Sequence, residues 1–76
     1  MTDLVDIIVH VDENIDHDHR EALTEKVRGV SGVVAVRLDD TKPHLMIVEY
    51  DPDAIKAIDV LNCVKEDGVH AELVGL

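Results

Sequence analysis

The apolar residues repeat every second position, then every third or fourth, and the order of these two patterns admits few folds. Val5, Ile7, Val9 and Val11 alternate with Asp6, Ile8 and His10, as in a half-buried strand. After a polar stretch, Ala22, Leu23, Val27 and Val30 recur at helical spacing. Asp18 and Glu21 stand at capping-box distance and Gly29 or Gly32 is placed to end the element, so a helix is expected over residues 18–30. A second strand is expected over residues 32–38 and a third over residues 44–50. Asp39-Asp40-Thr41-Lys42-Pro43 between them is turn chemistry, which makes the two a hairpin. Asp51-Pro52 has the form of a helix start, a carboxylate followed by the residue best tolerated at the first helical position. Ile55, Ala57, Ile58, Val60, Leu61 and Val64 give that second helix its apolar face, and Glu66-Asp67-Gly68 closes it. Residues 69–74 alternate again as a last strand.

Strand, helix, strand, strand, helix, strand is the order of an α+β ferredoxin-like sandwich, βαββαβ. It is expected as a four-stranded antiparallel sheet with two helices on one face. Right-handed crossovers put the first and third strands in the centre and the last strand beside the first. With 76 residues and no linker or repeat, the whole of residues 1–76 is expected to be one domain.

Composition excludes several functions. Tyr50 is the sole aromatic residue, so a base-stacking platform for single-stranded nucleic acid is absent. Seventeen acidic against 7 basic residues give a formal charge of −10, which repels phosphate backbones and anionic lipid, so no nucleic acid is expected as a partner. No apolar run nears the roughly 20 residues of a membrane helix, so no membrane insertion is expected. Met1 to Asp6 has neither the basic start nor the apolar core of a signal peptide, and the expected location is the cytoplasm. The single cysteine, Cys63, rules out an internal disulfide and any Cys-x-x-Cys site within the chain. It reads as a small hydrophobe on the second helix.

The residues Gly32-Val33-x-x-Val36-x-Leu38, Val48-x-Tyr50-Asp51 and Val64-Lys65-Glu66-Asp67-Gly68-Val69-x-Ala71 resemble the heavy-metal-associated domain. That family includes copper chaperones and the amino-terminal domains of metal-pumping ATPases. The resemblance implies the same fold and a metal site between the first strand and first helix, where members carry Met-x-Cys-x-x-Cys. Counted back from Gly32-Val33, the second cysteine position falls on His19, the first on Asp16 and the methionine on Asn14. Soft sulfur selects Cu(I), so its replacement argues against Cu(I).

Asp16, His17 and His19 are the candidate ligands, offering imidazole and carboxylate within four positions. Such donors suit a divalent transition metal ion: Zn, Ni, Co or Cu(II). Convergence requires His17 to precede the helix, because residues at i and i+2 of a helix diverge. Asp12 and Glu13 are further oxygen donors, and a site shared between two copies is open. Equally open is a solvated polar turn in which Asp16 or Asp18 only caps the helix. His10 and His70 are a possible second site, expected on the outer sheet face of neighbouring antiparallel strands. Ile8, Ala35, Leu45 and Ile47 on that face, with Arg37, Glu49 and Glu72 around them, have the make-up of an interface for a homo-oligomer or protein partner. Two readings follow: a metal-handling protein that uses an Asp/His turn, or a degenerate domain of the same fold acting as an interaction or assembly module. A ligand sensor rests on fold analogy alone. No enzyme is expected, since Cys63 has no base beside it and the carboxylates face no substrate cleft.

Overall fold

In the computed structural model, which describes residues 3–39 and 41–74, six elements follow the expected order. They are β1 (Val5–Val11), α1 (His17–Arg28), β2 (Val33–Leu38), β3 (Leu45–Tyr50), α2 (Ala57–Lys65) and β4 (Ala71–Val74). All pairings are antiparallel and the strand order is β2-β3-β1-β4, with the first and third strands central.

Register decides which residues share a face. Val9 lies opposite Met46 and Ile7 opposite Val48, and this inner face closes on Leu23 and Val27 of α1 and Val60 and Val64 of α2. Val9, Val27, Val48, Val60 and Val64 are fully buried. The core is therefore aliphatic and thin, with β-branched side chains filling the space between one sheet and two helices. On the other sheet face, Ile8, His10, Ala35, Leu45 and Ile47 are half-buried.

Several boundaries differ from the sequence expectation, and both helix starts do so for a local reason. Helix α1 begins at His17, capped by Asp16 rather than Asp18, because the Asp16 carboxylate accepts from the His19 amide at 2.7 Å. Asp18 lies in the first turn, where its charge favours the helix dipole. Helix α2 begins at Ala57, not at residue 52. The Asp51 carboxylate accepts from Asp53 N at 2.9 Å, and the Asp51 carbonyl accepts from Ala54 N and Ile55 N at 3.0 and 3.1 Å. That folds the Asp-Pro start into a local turn. The helix starts after it, with Asp59 Oδ2 accepting from Lys56 N. Strand β4 begins at Ala71, two residues later than the alternation suggests.

Gly32, at φ +99°, permits the entry to β2. A Cβ there would come within 2.8 Å of Ile55 Cγ2, so the turn before α2 sits directly on this glycine.

Candidate metal centre

Strand β1 ends at Val11, and the chain needs five residues to reach the N-terminus of α1. Ile15 is tucked against the core, which leaves the polar residues around it outside. Asp16 turns the chain with extended backbone (φ −73°, ψ 172°), and its carbonyl accepts from Arg20 N at 2.9 Å to close the first turn. The helix therefore already includes His17. Residues 17 and 19 stand about 200° apart around the axis, and their rings part company.

The His17 ring lies outside, its Nε2 4.0 Å from Glu21 Oε1 one turn further on. The His19 ring swings across to the loop after α2, where its Nε2 meets Asp67 Oδ2 in a short hydrogen bond. Of the three sequence candidates, the structure joins Asp16 to His19 through the cap and sends His17 elsewhere. It adds Asp67, 48 residues away in the chain. Nothing in the local sequence signals that approach, since it depends on how α2 leads into β4.

The further oxygen donors also find other partners. Glu13 accepts from the His70 amide at 2.9 Å and lies 2.8 Å from the His70 ring Nδ1. The hydrogen bond between the two side chains, with the backbone hydrogen bond second, holds the Glu13 carboxyl below its usual value. The same contact, with the Glu13 charge beside it, raises the His70 imidazole above its usual value.

His10 does not face His70. The register of β1 and β4 sets His10 opposite Glu72, and His70 falls beyond the start of β4. His10 Nδ1 lies 3.1 Å from Asp12 Oδ1 and 3.9 Å from Glu72 Oε1. Among the described residues, His10, Asp12 and Glu72 are the group of three whose metal-binding atoms converge, all within 4.8 Å of one another. Strand alternation contained the signal for Glu72: residues 70 and 72 share a face, and a shift of register by two exchanges them.

Sulfur takes no part in either place. Cys63 lies half-buried on α2, where burial pushes its thiol up, away from the thiolate a soft metal needs.

On the outer face, Ile8, Leu45 and Ile47 line an open hollow of about 560 Å³, with Arg37, Leu38, Asp39 and Lys42 also at its wall. Ala35 sits one pair further along, opposite Glu49. Among the described residues no helix is long and apolar enough to cross a membrane.

No protein-family model matches the chain, and no curated protein sequence matches it. Solved structures do. A copper-binding domain from HMA7, a P-type ATPase, superposes with a TM-score of 0.82 at 20% identity, over 92% of this chain and 93% of that one. A putative copper-ion-binding protein from Bacillus anthracis str. Ames gives 0.83 at 14% identity, over 95% and 100%. The copper chaperone of Enterococcus hirae, in its apo form, gives 0.75 at 25% identity, over 90% and 98%. The ferredoxin-like sandwich of this chain is thus the fold of the heavy-metal-associated copper-binding domains, as the sequence resemblance implied.

Proposed function

We propose that this chain is a small metal-handling domain that takes a divalent ion on nitrogen and oxygen donors at the β1–α1 turn. The meeting of His19 with Asp67 above the N-terminus of α1 carries this reading, in a fold whose solved neighbours are described as copper-binding domains. Imidazole and carboxylate are borderline to hard donors, which suits Zn, Ni, Co or Cu(II). They do not fit Cu(I), for which the turn offers no sulfur.

The roles divide among the residues. His19 supplies Nε2 and Asp67 a carboxylate oxygen from the facing loop. Asp16 holds the turn that presents His19, its Oδ1 accepting from the His19 amide. His17, pointing outward on the same first turn, is the ligand that a partner meets first when the ion is passed on or shared between two copies. The charge of −10 draws cations toward the domain and favours a partner with a basic face. The domain works in the cytoplasm and carries its ion without converting a substrate.

Calorimetric titration of the metal-free protein with Zn, Ni, Co and Cu(II), beside the His17→Ala/His19→Ala variant, tests this. Tight binding that weakens sharply in the variant is expected. Identical isotherms for the two proteins would overturn it.

The outer-face hollow favours a second reading, an interaction module that assembles through Ile8, Ala35, Leu45 and Ile47. In that case Ile47→Asp disperses an oligomer seen by sedimentation, and the two histidine changes leave that oligomer intact.

A further inference from the structure

We infer that His10, Asp12 and Glu72 form a second divalent-cation site, on the open face of the sheet where β1 and β4 pair. The inference stands on its own residues and does not need the turn to bind metal.

The donor set comes first. One imidazole nitrogen and two carboxylate oxygens converge from two strands, and all three atoms lie within 4.8 Å of one another. In a tetrahedral site with bonds of 2.0–2.1 Å, neighbouring ligand atoms stand roughly 3.3 Å apart. The observed 3.1 Å and 3.9 Å from His10 Nδ1 bracket that edge, so an ion is accommodated by small side-chain movements.

Charge also favours an ion here. A proton on Nδ1 can be donated to one carboxylate oxygen at a time, and Asp12 is the nearer acceptor. Glu72 is then left facing a second anion in a chain that is already strongly acidic. A divalent ion in place of that single proton satisfies both carboxylates and the imidazole together.

Third, the site is held in place before any ion arrives. His10 lies opposite Glu72 in the ladder, and Asp12 N donates to the His70 carbonyl at 2.9 Å, which continues the β1–β4 pairing past the end of β1. The His10 ring stacks on His44, with centroids 5.8 Å apart and planes 21° from parallel. His44 is itself fixed, because its Nδ1 lies 2.8 Å from the Val11 carbonyl, which only accepts. Its Nδ1 therefore carries the hydrogen. A ligand oriented by a neighbour that is hydrogen-bonded in turn loses less freedom on binding. The carboxylates are open to solvent, which gives the ion a way in.

The test uses the full chain carrying His17→Ala/His19→Ala, so that the turn is silent, and Co(II) and Zn(II) as probes. Binding is followed by visible absorption for cobalt and by calorimetry for zinc. The expected result is one ion per chain, with affinity reduced at least about tenfold by Asp12→Asn/Glu72→Gln. Both replacements keep side-chain shape, and circular dichroism checks that the fold is retained. Failure of the background variant to bind either ion overturns the inference while leaving the turn untouched. Binding that the Asp12→Asn/Glu72→Gln pair leaves unchanged overturns it equally. A wild-type chain that binds only the same single ion as the His17→Ala/His19→Ala background would sink the first site and leave the second standing.

Discussion

Two groups of candidate metal-ligating side chains lie at the two ends of one connection, and they are assembled in opposite ways. At the N-terminus of α1, Asp16, His17 and His19 are adjacent in sequence, and the helix spreads them around its axis. At the end of β1, His10 and Glu72 come from two strands far apart in sequence, Asp12 follows β1 directly, and the antiparallel register brings the three together. Closeness in sequence counts for little where the period is 3.6 residues. It counts for more where the period is 2, because residues i and i+2 then share a face and their cross-strand neighbours are fixed. The turn thus depends on a distant loop, through Asp67, for a second strong donor, while the strand pair is complete in itself.

The two regions share one scaffold, and the largest effect comes from weakening it. Leu23, 1% exposed, ties α1 to the sheet. Leu23→Ala is expected to cost about 2–5 kcal/mol, most of what so small a domain has to spare. In chemical denaturation the midpoint drops sharply for both regions together, and loss of one region alone would show that they fold independently.

A smaller change separates them. Asp16→Ala removes the carboxylate that accepts from the His19 amide, at about 0.5–2 kcal/mol. Hydrogen exchange at the first turn of α1 should speed up, with the amides of the β1–β4 ladder unchanged. Faster exchange in the ladder would mean that the cap supports the whole edge of the sheet.

The smallest effect concerns Glu13 and His70, exposed neighbours of both regions. The His70 imidazole is raised above 6.5 in the folded chain, so its share of stability is full below that value and is lost as pH rises through the folded value. Glu13 is lowered below 4.5, so its share is full above that value and is lost as pH falls through the folded value. The pair is therefore engaged throughout the window from 4.5 to 6.5. A proton NMR titration should find His70 above its ordinary value, and Glu13→Gln should bring it back. A His70 value that the substitution does not move would remove the contact.

The sequence made the architecture legible because periodicity and turn residues agree at every strand. Val5 to Val11 alternates except at Ile8, and Lys42-Pro43 cannot continue β2. Helix starts were less legible, since several carboxylates compete. Asp16 and Asp18 both suit a cap, and the one whose oxygen reaches a free amide wins. At Asp51 the same chemistry makes a turn that delays α2 to Ala57. Of the candidate donors, His10 and His19 were visible as chemistry. Asp12 was visible too and Glu72 was one register step away, but Asp67 was not, because it is brought in by the packing of the second half of the chain on the first.

On the proposed reading, the histidines divide into those that take metal and those that hold the structure. Long-range nitrogen–proton NMR of the imidazoles in the native chain, before and after zinc, tests it directly. Large shifts are expected at Nε2 of His19 and Nδ1 of His10, with the hydrogen-bonded Nδ1 of His44 and His70 unmoved. Zinc that leaves His19 and His10 unchanged, or that shifts all five imidazoles alike, would contradict it.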